Sequence, residues 1–266
     1  MPSESLPAPG LGTSGIDGEE CVETVRTALE VGYRHLDTAQ MYGNEREVGE
    51  ALAASAVDRE DVFLATKVDP GSLAPDEVVE TTRGSLDRLG VESVDLLYVH
   101  WPMRAYEAEA TLPAFDEVRE EGLTRHVGLS NFTPALLREA RQLLESPVFA
   151  HQVESHPLLP QTELLEIASE TDHHLVAYSP LAQGDILDHP MLAEVADDLD
   201  ATPAQVAIAW QLDRGVVPIP QGRGDHVREN FAAREVDLTA DARDRLDAID
   251  DRERVVDPDA APWNGD

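Results

Sequence analysis

Residues 62–100 read VFLATKVDPGSLAPDEVVETTRGSLDRLGVESVDLLYVH and hold one full repeat of the pattern on which the chain is built. The apolar run Val62-Phe63-Leu64-Ala65-Thr66 lacks period-two alternation, as a parallel strand covered on both faces would. Val78, Val79, Thr82, Leu86 and Leu89 then recur at helical spacing. Gly90 stops that helix before a second apolar run, Val94-Asp95-Leu96-Leu97-Tyr98-Val99. Strand, helix and strand in this order make a βαβ unit.

The alternation continues on both sides. Helical spacing returns at Cys21, Val22, Val25, Ala28, Leu29 and at Leu136, Leu137, Ala140, Leu143, Leu144, with Gly32, Gly122 and Gly215 as further stops. Apolar runs return at Val148-Phe149-Ala150, Leu175-Val176-Ala177-Tyr178 and Val216-Val217-Pro218-Ile219. Counting gives a short strand near Leu11 and strands at about 33–37, 62–67, 94–100, 125–130, 148–153, 174–178 and 215–219. Eight strands in βα alternation predict an α/β fold, a single (β/α)8 TIM barrel spanning 1–266 as one domain.

Composition limits what such a barrel does. Of 266 residues, 42% are hydrophobic, enough for one substantial core. Twenty Lys and Arg against 53 Asp and Glu leave a net charge of −33, which argues against nucleic acid as a partner because no basic stripe exists to neutralise phosphates. Nineteen of the twenty basic residues are Arg, and Lys67 is the one lysine. This resembles proteins of cells holding multimolar salt, where a Debye length of about 3 Å or less screens such a surface. Cys21 has no partner for a disulfide. With no basic-then-apolar leader and no apolar stretch of about 18 residues, a soluble cytoplasmic monomer away from membranes is expected.

Barrel active sites are assembled at the carboxyl ends of the strands. There stand Asp37, Lys67, His100, Ser130-Asn131, Gln152 and Tyr178, with Tyr42 five residues past Asp37. Any one of them alone reads as a packing or solvated residue; the inference rests on their coincidence at one rim. Lys67 adds to it, since a chain that uses arginine everywhere else keeps an ammonium here. An ammonium is a compact proton-bearing point charge, and a guanidinium is not. No His-x-His pair or carboxylate cluster marks the strand ends, so no metal is expected. Gly10-Leu-Gly12-Thr-Ser-Gly15, with Asp37 about twenty residues on, matches the dinucleotide fingerprint. No hydrophobic strand leads into it from Met1 to Pro9, and it reads as a glycine-rich turn.

Taken in order, Gly32-Tyr-Arg-His-Leu-Asp37-Thr-Ala-Gln-Met-Tyr42-Gly-Asn-Glu, Thr66-Lys67-Val68, Asp95-Leu-Leu-Tyr-Val-His100-Trp-Pro and Gly128-Leu-Ser130-Asn131-Phe resemble the aldo-keto reductase superfamily over essentially the whole chain. The resemblance implies NAD(P)H-dependent reduction of small aldehydes or ketones by a tetrad of Asp37, Tyr42, Lys67 and His100, with Tyr42 as general acid. Lys67 would lower the pKa of Tyr42, Asp37 would hold Lys67, His100 would orient the carbonyl, and Trp101 would wall the substrate pocket beside Tyr42 and His100. It implies NADPH as cofactor, with NADH as an alternative. Ser130, Asn131 and Gln152 would hold the carboxamide, Tyr178 would stack on the nicotinamide, Pro218 and Ile219 would begin the phosphate segment, and Glu229 and Asn230 would meet adenine. Many relatives have Lys-Ser where this chain has Gln221-Gly222, which leaves Arg223 as the fork for a 2′-phosphate. The short connection after His100 and the roughly sixteen residues after Asp250 suggest an open pocket. A regulatory subunit on the same barrel, which would bind cofactor without turning over substrate, is the alternative reading.

Overall fold

The computed structural model describes residues 4–264; residues 1–3 and 265–266 of the expected domain lie outside the described residues. Among the described residues eight parallel strands run in sequence order: β1 (Leu11–Gly12), β2 (His35–Asp37), β3 (Phe63–Val68), β4 (Val94–Val99), β5 (Thr124–Ser130), β6 (Val148–Glu154), β7 (His174–Tyr178) and β8 (Val217–Pro218). Gly10 N donates to Pro218 O at 2.9 Å and Gly12 N to Pro220 O at 3.2 Å, which closes the ring between its last and first strands. This is the expected barrel.

Closure explains two glycines of the dinucleotide-like motif. A Cβ on Gly12 would stand 2.7 Å from the Ile219 carbonyl oxygen, and one on Gly10 2.5 Å from the His35 ring. They let β1 lie against β8 and β2, while Gly15, at φ +73°, makes the turn.

The unbroken apolar runs split between two cores. Phe63, Ala65, Leu96, Tyr98, Ala150, Val176, Val217 and Ile219 fill the barrel interior. Their neighbours Leu64, Val68, Leu97, Val99, Val127, Leu129, Leu175 and Ala177 face the surrounding helices. Burying a valine, leucine, isoleucine or phenylalanine here contributes about 1.5–3 kcal/mol, so where helices and barrel interior cover both faces of a strand both favour apolar residues and period-two alternation vanishes. A Cβ on Gly128 in β5 would come 2.5 Å from the Tyr98 ring, so this glycine makes room for the tyrosine.

The helices are α1 (Gly18–Val31), α2 (Glu45–Ala53), α3 (Pro75–Leu89), α4 (Ala108–Glu120), α5 (Pro134–Leu143), α6 (Thr162–Thr171), α7 (Pro190–Leu199), α8 (Pro203–Asp213), α9 (Asp225–Ala232) and α10 (Ala240–Asp247). In α3, Pro75 sits in the first turn beside Asp76 and Glu77, favoured at the positive end of the helix dipole, and left-handed Gly90 ends it. Two helices, α7 and α8, lie between β7 and β8 where strict alternation has one. Asp200 in the left-handed region ends α7, and a capping box between Thr202 and Gln205 starts α8 afresh. Among the described residues no helix is long and apolar enough to cross a membrane.

Rings floor the barrel opposite the rim: Phe149 stacks on His126 at 3.9 Å and Phe63 lies 5.7 Å from Phe149. Glu4 seals them from below, its carboxylate 3.3 Å from His126 Nε2 and 2.7 Å from Arg125 Nη2. Nearby histidines are buried and neutral. Burial pushes His35 and His173 down to about 4 and His151 to about 3, from an ordinary 6.5. Between 6.5 and those values the unfolded chain binds more protons than the folded one, so stability falls as pH drops through that window. From pH 7 to 5 each histidine is expected to cost about 2 kcal/mol. Urea unfolding at the two pH values in molar salt, which screens carboxylate repulsion, checks this; equal midpoints would refute it.

Candidate active site

Asp37 ends β2, Lys67 lies in β3, His100 follows the last residue of β4, and Tyr42 closes a 3-10 turn, Gln40–Tyr42. The structure brings all four together. Lys67 is fully buried, and its Nζ donates to Asp37 Oδ1, to Thr38 O at 2.8 Å and to Tyr42 OH at 3.4 Å. The Tyr42 and His100 rings meet edge to face at 5.7 Å.

The loop that carries Tyr42 is held from three sides. Gln40 donates to Thr81 O at 3.1 Å and Ser85 Oγ at 3.0 Å, and accepts from Asp69 N at 2.9 Å. Buried Asn44 accepts from Thr38 Oγ1 at 2.9 Å and donates to Thr13 O and Ile16 O at 2.7 and 2.8 Å. Buried Glu45 accepts from Thr66 Oγ1 at 2.6 Å and Arg88 Nε at 2.8 Å. No role for Asn44 or Glu45 is legible in the sequence, because their partners are distant in the chain.

Electrostatics set the protonation states. Burial works against the charge on Lys67, but Asp37 first, then Tyr42, more than offset it, so the ammonium's pKa is raised. Burial also raises Tyr42, and Lys67 opposes this without overcoming it. Lys67 does pull the phenol's pKa down, as expected of a neighbouring ammonium, but in a dry site the penalty on phenolate is larger and the net direction is up. His100 is held well below 6.5, by burial and then by Lys67, and its buried Nδ1 has no hydrogen-bond partner among the described residues. A charged lysine, a protonated phenol and a neutral imidazole thus converge on one point.

The candidate cofactor residues spread around the same rim. Asn131, at φ +65°, donates to His100 O at 3.0 Å and Ser130 Oγ at 3.1 Å, and accepts from Tyr178 OH at 2.8 Å. The Tyr178 ring is thereby fixed in plane at the end of β7. Gln152 has a further partner that the sequence does not indicate: its amide nitrogen donates to Asp37 Oδ2 at 2.8 Å, which braces the tetrad. Asn230 is also committed, donating to Gln221 O at 3.0 Å, and Glu229 lies 3.2 Å from His226 Nδ1. Arg223 is not a free fork, since Nη2 donates to Gly15 O at 2.8 Å and Nε pairs with Glu20 at 3.1 Å.

These residues fit a nicotinamide dinucleotide. Tyr178 offers a fixed ring face beside Asn131 and Ser130. Gly222 lies where a Cβ would stand 3.1 Å from Val227 N, so the loop packs tightly on the start of α9, whose N-terminus suits a phosphate.

Trp101 is 7% exposed and packs against Trp263, ring centroids 5.6 Å apart. The C-terminal segment thus returns to the residue beside His100.

Comparison with known proteins agrees with the geometry. Residues 8–251 match the sequence profile of the Aldo/keto reductase family. The chain is 36% identical to the oxidoreductase YtbE of Bacillus subtilis (strain 168) over 96% of its own length and 93% of that protein's. It is 35% identical to the methylglyoxal reductase DkgB of Escherichia coli O157:H7, over 98% and 100%. Its structure superposes on MGS-M4, an aldo-keto reductase enzyme from a Medee basin deep-sea metagenome library, with a TM-score of 0.92 at 31% identity, covering 96% and 95% of the two chains. With the tetrad assembled on a closed barrel and relatives matching end to end, the chain belongs to the aldo/keto reductase family of oxidoreductases.

Proposed function

We propose that the protein reduces small aldehydes and ketones, dicarbonyls and sugar-derived ketones among them, to alcohols with NADPH, working as a monomer in a salt-rich cytoplasm. The observation that carries this reading is Lys67, whose Nζ bonds Asp37 and reaches Tyr42 OH while neutral His100 stands across from the phenol. A bound reduced nicotinamide supplies the hydride.

The chain's own residues handle the oxygen. As negative charge grows there, Tyr42 OH gives up its proton, and the phenolate left behind is stabilised by the Lys67 ammonium. Asp37, braced by Gln152, keeps that ammonium charged inside the barrel. His100, neutral, donates a hydrogen bond that aligns the carbonyl oxygen with the phenol. Lys67 thus acts chiefly on the product side of the proton transfer, which fits a resting phenol whose pKa is not lowered.

The test is consumption of NADPH, and separately NADH, with a panel of dicarbonyls, aldoses and keto acids. No turnover on any of them with either coenzyme would defeat the proposal. Coenzyme choice turns on Arg223, whose exposed guanidinium can exchange Glu20 for a 2′-phosphate. Arg223→Ala is expected to lower the NADPH-over-NADH ratio of kcat/KM about tenfold. An NADH-preferring enzyme indifferent to the change would exclude this role.

A further inference from the structure

The C-terminal segment brings a cation to the rim of the barrel. Glu154, at the end of β6 and fully buried, accepts from Val255 N at 2.7 Å through one oxygen and from Val256 N at 2.9 Å through the other, with His156 Nε2 3.0 Å from the first. Glu253 N adds a bond to Leu158 O at 3.1 Å. These anchors fix the intervening Arg254, whose guanidinium carbon lies 3.9 Å from the centre of the Trp263 ring. Trp263 in turn packs on Trp101, the neighbour of His100, and is clamped by Asp257, which accepts from its indole at 2.8 Å.

Arg254 is half-buried. Among the described residues it makes no ion pair within 4.0 Å, in a chain with 53 carboxylates, although its charge reaches Asp257. The same charge reaches Tyr178 at the end of β7, opposing the upward push of burial and Glu154. A stacked, partly desolvated guanidinium keeps its planar fork pre-organised for a carboxylate.

We propose that Arg254, held by Glu154 and stacked on Trp263, is a specificity-determining residue that pairs with a carboxylate carried on the substrate a few atoms from the carbonyl reduced at Tyr42. The inference rests on the carbonyl-reductase reading above and narrows it to keto or aldehyde acids. Glu154 is the positioning residue, acting through the backbone of Val255 and Val256.

The test compares 4-oxobutanoate with its methyl ester, the same aldehyde without the charge. Wild type is expected to favour the acid at least about tenfold in kcat/KM, chiefly through KM. Arg254→Gln removes most of that preference, Arg254→Lys keeps part of it, and Glu154→Gln, with one oxygen acceptor in place of two, raises KM for the acid more than for the ester. An acid-to-ester ratio equal in wild type and Arg254→Gln overturns the proposal, as does a ratio near one in wild type. A merely structural arginine would lower both substrates together and leave the ratio alone. If wild type reduces neither compound, the reductase reading loses its support and Arg254 is judged on binding. Saturable quenching of tryptophan fluorescence by 4-oxobutanoate, lost in Arg254→Gln, sustains the carboxylate site; identical titrations in both proteins overturn it.

Discussion

Tyr42→Phe lowers kcat for carbonyl reduction by about 10²–10⁴-fold, the range expected when a positioned general acid is removed. The substitution deletes one oxygen and spares the rest of the site. The ring still packs edge to face against His100, and Lys67 still has Asp37 and Thr38 O as acceptors. Coenzyme affinity, read by fluorescence titration, should stay near wild type while single-turnover hydride transfer collapses. A variant within twofold of wild type would remove Tyr42 from the role of acid.

Lys67→Met is expected to destabilise the fold by about 3–5 kcal/mol, because Asp37 would be left charged, buried and without its counter-ion. That is a large share of the roughly 5–15 kcal/mol that holds a typical domain together. The pairing predicts its own rescue: adding Asp37→Asn to Lys67→Met recovers much of the lost stability in urea, since the orphaned charge is gone, but restores no activity. Additive losses in the double variant would mean that the pair does not act as a unit. Lys67→Arg should also fail as a catalyst. The ammonium is fully buried among Asp37, Thr38 and Tyr42, and a wider planar group does not fit that space.

Much of this was legible in the sequence where physics leaves a local mark. Strands such as Phe63–Val68 announce themselves because both faces are dry, and Gly32 and Gly90 mark helix ends because left-handed backbone favours them. Lys67 stood out by composition alone. What stayed hidden depends on contacts far apart in the chain. Asn44 reaches back to Thr13 and Ile16, Gln152 meets Asp37 across 115 positions, and Glu154 finds Val255 and Val256 about a hundred residues later. The segment after Asp250 carries no periodicity, so nothing in its sequence tells that Trp263 returns to Trp101. A carboxylate ending an otherwise buried strand, as Glu154 does, was the signal available for that return. Likewise, the glycines of the amino-terminal motif could be read as a nucleotide loop or a turn until the approach of Ile219 showed what they accommodate.

The ring closure also has a direction. Gly10 and Gly12 give their amide protons to Pro218 and Pro220, and prolines have no amide proton to return. Both of these bonds run from the β1 side, and each of the two strands that meet here is two residues long. The wall is therefore closed at this seam by few bonds, and Gln221 and Arg223 follow directly on the second of them.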